Sequence, residues 1–295
     1  MIQMIRTSLR IFAASLLLCL AANVNAGTLH NNWTYALDST SDGSGGSSYE
    51  LLGIAYKQVG SQLFFAFSSN MPVTGNSESN ARNGYISPGD LFLNFSTHNL
   101  DSAADFSDPA VFAVRFSAYN DSLGNKKSHG HFTNTTLGLY SDITPVSMSS
   151  SNEGYSTLQA YINAGHGENQ KSMGDLQSTV NDVVPYLGNG AMLTNISAGT
   201  RDAGITLLND SQLVTDGIDF THFGSQYAGS EIYGFVLDAS TLPAGNFTAH
   251  YLEECSNDGI AILGNIPGGS DVPEPATVAL FTLGGLLIYK KRRPA

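Results

Sequence analysis

The sequence is poor in positive charge, in cysteine and in long apolar runs. Of its 295 residues 13 are Lys or Arg against 25 Asp or Glu, and charged residues make up only 13% of the chain. Six of those cations sit at the ends: Arg6, Arg10, Lys290, Lys291, Arg292 and Arg293. Residues 27–270 keep 7 basic and 23 acidic side chains, a net of −16. A surface of that sign cannot neutralise phosphates, which argues against nucleic acid as a partner and disfavours an anionic membrane surface. Of the two cysteines, Cys19 lies in a leading apolar run and Cys255 is alone in the body. An exported form therefore has no internal disulfide and depends on packing, supplemented by any bound ions. Also lacking are a Gly-x-Ser-x-Gly elbow, a P-loop and a dinucleotide fingerprint, so a nucleophilic triad or a nucleotide site has no support.

What is present is 42% hydrophobic residues and 31 glycines, too apolar and too aromatic for a disordered acidic chain. Two segments read as addresses. Residues 1–10 are basic, 11–22 are apolar, and Val24-Asn25-Ala26 offers the small residues read by signal peptidase. Residues 1–26 thus read as a signal peptide cut between Ala26 and Gly27. At the other end Val272-Pro273-Glu274-Pro275 precedes an uncharged run over 276–289, then the basic cluster at 290–293. That run would make about 21 Å of helix, short of the ~30 Å hydrocarbon core, and so a marginal single transmembrane anchor. Lys290, Lys291, Arg292 and Arg293 would act as the membrane stop on the cytoplasmic side. The prolines favour an extended, accessible chain just ahead of it.

Pro273-Glu274-Pro275, a short apolar helix and a terminal basic cluster, in that order over the last 24 residues, closely resemble the PEP-CTERM sorting signal. The resemblance implies recognition by a membrane-embedded exosortase that cuts near the tripeptide and releases the body to the cell surface or into exopolysaccharide.

Between these ends, residues 51–57, 62–68, 91–95, 110–116, 157–162, 231–237 and 246–252 read as strands. They are short, aromatic or β-branched, and separated by Gly, Asn, Asp, Pro and Ser. The runs at 63–67 and 111–116 are apolar enough for central strands. A short helix is expected over 174–187, ended by Pro185. The pattern predicts an all-β chain, an antiparallel β-sandwich of jelly-roll or lectin-like style. Residues 27–266 form its one domain; a split near residue 150 is the lesser alternative. The Gly/Pro-rich stretch 264–271 carries the linker, placed at 267–271, and the sorting tail occupies 272–295. Gly89-Asp90-Leu91-Phe92-Leu93-Asn94-Phe95, Leu242-Pro243-Ala244-Gly245-Asn246-Phe247 with Ala249-His250, and Glu254-Cys255-Ser256-Asn257-Asp258-Gly259 resemble blocks of exosortase-dependent surface proteins common in cyanobacteria. That resemblance implies a surface location and no particular activity.

Chemistry-bearing residues are few. His129-Gly130-His131 would put two imidazoles on one side of an extended strand, as metal ligation needs, but reads more simply as an exposed polar loop. His166, between glycines, is similar. Glu253-Glu254 would face opposite sides of a strand, the wrong geometry for a glycosidase pair. Calcium is the one cofactor the sequence suggests: Asp38 and Asp42 on a glycine-rich loop, Asp216 and Asp219, and Asp258 offer oxygen ligands, or else plain Asx turns. Cys255 reads as a buried small residue beside a turn. Trp33, Tyr35, Tyr49, Tyr56, Tyr85 and Tyr119 include candidates for a sugar-stacking platform, although most aromatics of a sandwich are core. The reading is an exported, non-enzymatic surface or extracellular-matrix protein, structural or adhesive and linked to exopolysaccharide or biofilm. A carbohydrate-binding module is the alternative and a secreted hydrolase the third.

Overall fold

The computed structural model describes residues 27–41, 44–161, 173–176, 186–188 and 190–268. The expected signal peptide with Ala26, the sorting tail with Pro273, Glu274 and Pro275, the apolar run and the basic stop lie outside these residues, as do Asp42 and His166. Among the described residues no helix is long and apolar enough to cross a membrane.

Sixteen strands occur in the described chain: β1 Thr28–His30, β2 Trp33–Leu37, β3 Leu51–Val59, β4 Gln62–Ser69, β5 Asn76–Ser77, β6 Tyr85–Ile86, β7 Leu91–Asn94 and β8 Val111–Arg115 in the first half. Then follow β9 Lys127–Ser128, β10 His131–Phe132, β11 Gly138–Val146, β12 Asn195–Ala203, β13 Ile205–Asn209, β14 Glu231–Asp238, β15 Gly245–Leu252 and β16 Gly259–Ile266. Two six-stranded sheets hold most of them, in the orders β1-β2-β3-β4-β14-β13 and β12-β11-β8-β7-β15-β16. Neighbours within both are antiparallel. The fold is all-β.

Period-2 alternation explains why the central strands are apolar throughout. On β4, Leu63, Phe65 and Phe67 enter one large core cluster, while Phe64 and Ala66 join a second cluster with Trp33, Tyr35, Leu213 and Phe220. On β8, Phe112 and Val114 enter the same large core, while Val111 and Ala113 join a third cluster with Phe92, Phe106 and Tyr186. Each central strand therefore has an apolar partner on both faces. The large core draws from both sheets: Phe67 of β4 stacks on Phe116 just after β8 at 5.1 Å between ring centroids and meets Tyr251 of β15 edge-on at 5.2 Å.

The structure corrects several local expectations. Of the strand expected over 157–162, residues 157–161 do not form one: Thr157 makes a single bridge to Ala191, and Leu158–Tyr161 is a turn of helix, while Ile162 lies outside the described residues. The Thr157 hydroxyl accepts the N–H of Ala160 at 3.0 Å, and this capping bond selects helix over extension. Of the short helix expected over 174–187, Gly174 and Asp175 instead make a tight turn bridged by Met173 and Leu176, Tyr186 and Leu187 are helical, and 177–185 lie outside the described residues. Residues 264–266 belong to β16 rather than to a linker, with Gly264 opposite Phe247. A division near residue 150 would cut both sheets, since each takes strands from either side of it.

Candidate functional site

Tyr85 on β6, Tyr119 in the loop after β8 and Phe132 on β10 come together as a cluster of half-exposed rings. Tyr119 and Phe132 stack at 4.2 Å between centroids with 22° between their planes. Tyr85 meets Tyr119 edge-on at 5.2 Å and Phe132 at 5.8 Å. The exposed Lys127, paired with Phe132 across the hairpin, places its Nζ 4.7 Å from the Tyr85 centroid. Its turn is His129-Gly130, both at positive φ, as a two-residue hairpin loop of this twist requires. His129 therefore lies in a tight turn and His131 opens the strand after it, so the two do not share a strand face; they are exposed, as the polar-loop reading expected.

A buried polar scaffold fixes these rings. The Asn83 side chain accepts the N–H of Tyr85 at 2.9 Å and donates to the carbonyl of Tyr119 at 2.6 Å. Arg115, fully buried at the end of β8, donates through Nε to Asn120 Oδ1 at 2.8 Å, through Nη2 to the Asn134 carbonyl at 2.8 Å and through Nη1, at a longer 3.3 Å, to the Thr136 carbonyl. Asn125 Nδ2 donates to the Asn120 carbonyl at 2.8 Å, and its Oδ1 accepts the Asn134 N–H at 2.9 Å. One guanidinium and two amides thus hold the loop bearing Tyr119 against the hairpin bearing Phe132. A planar, five-donor fork suits this clamp on several carbonyls.

Beneath this scaffold lie carboxylates shut off from solvent. Asp90 accepts from Ser122 Oγ at 2.6 Å, Ile196 N–H at 2.8 Å and Asn120 Nδ2 at 2.9 Å. Glu254 accepts from Asn195 Nδ2 at 2.9 Å, Ser87 N–H at 3.1 Å and the N–H of Asp121. Burial pushes Asp90, Asp121 and Glu254 above the ordinary carboxylate range, and the neighbouring Asp121 charge pushes Glu254 further. Burial also lowers Arg115. Glu253 and Glu254 follow the end of β15 in a turn, both with no exposed surface, so no substrate reaches them in this conformation. They tie loops together.

Among the described residues the expected calcium ligands fall in two places, Asp38 with Asp258 and Asp216 with Asp219. Asp258 is buried, accepting Leu51 N–H at 2.7 Å and Gly259 N–H at 2.8 Å. Asp38 is buried, donates its N–H to the Leu52 carbonyl and accepts weakly from Gly174 N–H at 3.4 Å. Both brace the start of β3. Asp216 is exposed, with Lys57 Nζ 3.8 Å from its carboxylate and 3.0 Å from its carbonyl. Asp219 turns toward His30 and His222.

Of the six aromatics singled out in the sequence, Trp33, Tyr35 and Tyr56 are core and Tyr49 packs partly buried beside Ala81, Ile86 and Cys255. Cys255 is fully buried, as expected, and burial raises its thiol well above the usual range. Tyr85 and Tyr119 are the two that reach the surface together. Phe132 escaped the sequence reading because it is one aromatic in a polar stretch; the adjoining His-Gly turn was the available signal that it sits on a hairpin. Compared with known proteins, the chain matches no family model, no curated protein and no solved structure.

Proposed function

We propose that this chain is an exported surface or extracellular-matrix protein, sorted by exosortase after signal-peptide removal, that adheres to polysaccharide through Tyr85, Tyr119 and Phe132. The observation that carries the adhesive reading is the half-exposed aromatic cluster held by buried polar groups. Ring faces cover the apolar C–H faces of a sugar, and a site fixed before binding loses little entropy on association. Lys127 adds one cation at the rim, suited to a uronic acid or other anionic substituent in an otherwise acidic surface. The tail Pro273-Glu274-Pro275 with its apolar run and basic stop supports the sorting step. The proposed architecture is an antiparallel β-sandwich of jelly-roll or lectin-like style, a reading supported by the core that both sheets share.

The test is a glycan array followed by titration of the purified chain with its best-bound polysaccharide. Tyr119→Ala and Phe132→Ala should each weaken binding by about tenfold or more, as loss of an aromatic anchor does. Circular dichroism should remain that of wild type. Equal binding by both variants would remove the platform assignment and leave a structural role without this site.

A further inference from the structure

We infer that His30, Asp219 and His222 form a binding site for a zinc-class transition metal ion, which fastens the first β-hairpin to the chain that follows the helix Asp210–Thr215. Among the described residues these three bring ligand atoms within 4.8 Å of one another. His30 Nε2 lies 3.7 Å from Asp219 Oδ2, and the two imidazoles stack at 3.6 Å between centroids, 8° from parallel. Bonds of about 2.0–2.1 Å to a tetrahedral zinc ion place ligand atoms roughly 3.3 Å apart, and because an imidazole nitrogen binds in its ring plane, the two stacked rings must swing apart to aim both lone pairs at one ion.

The supporting structure is already organised. His30 ends β1, and the following Asn31 and Asn32 both take positive φ in the two-residue turn to β2. Asn31 Nδ2 donates to the Gly217 carbonyl at 3.1 Å, and Trp33 Nε1 to the Asp216 carbonyl at 3.0 Å. Tyr35 Oη accepts the N–H of Asp219 at 2.8 Å. Three bonds thus join the hairpin to residues 216–219. Asp219 Oδ1 is engaged by Thr221 Oγ1 at 2.5 Å and His222 N–H at 3.1 Å, while Oδ2 faces His30. Phe223 closes one side, edge-on to His222 at 5.0 Å.

Two nitrogen ligands and one oxygen suit zinc, cobalt, nickel or copper rather than calcium, which takes six to eight oxygens. Three protein ligands leave a fourth position to water or to another donor. His222 is exposed, so an ion has a direct approach. In a body whose lone thiol is buried, a metal is the available cross-link between segments so distant in sequence.

The test uses the purified chain stripped with chelator. Titration with zinc chloride should give one equivalent of heat and a raised melting temperature, and cobalt chloride should give the visible absorption of a low-symmetry tetrahedral site. His222→Gln, on an exposed ring, should fold as wild type and lose more than about tenfold in zinc affinity. His30→Gln and Asp219→Asn should do the same, whereas His129→Gln with His131→Gln should leave binding unchanged. Absence of zinc binding by the wild type overturns the inference. So does binding that survives His222→Gln or disappears with the His129 and His131 substitutions. Binding of glycan is a separate readout at another place on the chain and moves with none of the His30, Asp219 and His222 variants.

Discussion

His250, on β15, is ringed by Phe92 at 5.4 Å, Tyr186 at 5.3 Å and Phe106 at 6.2 Å between centroids, with no exposed surface. Its Nδ1 lies 3.2 Å from the Tyr186 hydroxyl, and its Nε2 has no hydrogen-bond partner among the described residues. Burial drops its pKa to about 3, whereas an unfolded chain holds histidine near 6.5. Between about pH 3 and 6.5 the unfolded state therefore carries more protons than the folded one, and stability rises with pH. It is fully present above about 6.5 and is lost as pH falls, with a slope of up to roughly 1.4 kcal/mol per pH unit from this one group. His250→Gln keeps an acceptor or donor for Tyr186 and cannot titrate. Urea denaturation across pH 4 to pH 7, roughly the window in question, should give a flatter profile for the variant than for wild type. Parallel profiles would show that another group governs acid sensitivity.

At the scale of elements, space between backbones decides where glycine must stand. Gly89 lies where the chain turns into β7: its N–H donates to the Leu252 carbonyl at 3.0 Å, and the next N–H, that of Asp90, to the Thr194 carbonyl at 2.8 Å. A Cβ at Gly89 would lie 2.4 Å from each of those two oxygens. Neither oxygen is free to move, because both belong to bonds that join the second sheet to its loops. Gly89→Ala should destabilise by about 1–3 kcal/mol, read from the urea midpoint at unchanged slope. An unchanged midpoint would mean that the junction adjusts more easily than these bonds suggest. The same scale explains what the sequence disclosed. Strands β4 and β8 were legible because they are apolar on both faces. By contrast β12 is an edge strand whose residues from Ser197 to Ala203 are mostly exposed, so its sequence carries little hydrophobic pattern. The strand expected from 157 onward gave way to one local bond from the Thr157 hydroxyl. In the candidate sites Tyr85, Tyr119 and Asp219 could be named, but their partners Phe132, His30 and His222 could not. Those partners arrive from other hairpins and turns, and only the fold sets them beside one another.

For the whole molecule the acidic body and the basic tail have opposite tasks under the proposed sorting. The body, net −16 over 27–270, has no attraction to an anionic bilayer, so retention at the membrane depends on the tail. The uncharged run at 276–289 is short for a span, and Pro273 and Pro275 favour an extended chain at the residues before them. The described body reaches Ile266 with β16 fully paired to β15, so a cut near the tripeptide spares every described strand. If the tripeptide, more than hydrophobicity, directs the cut, replacing Pro273, Glu274 and Pro275 together by alanine should leave export, the apolar run and the basic stop intact. The variant should then accumulate in the membrane fraction, longer than the wild-type product by the mass of the tail, while wild type is recovered at the surface or in the medium ending near residue 272. Mass spectrometry in an exosortase-containing host reads both ends directly. A wild-type product that still ends at Ala295, or an alanine variant cut as well as wild type, would make the tail an ordinary anchor and return the adhesive platform to a protein held at the membrane.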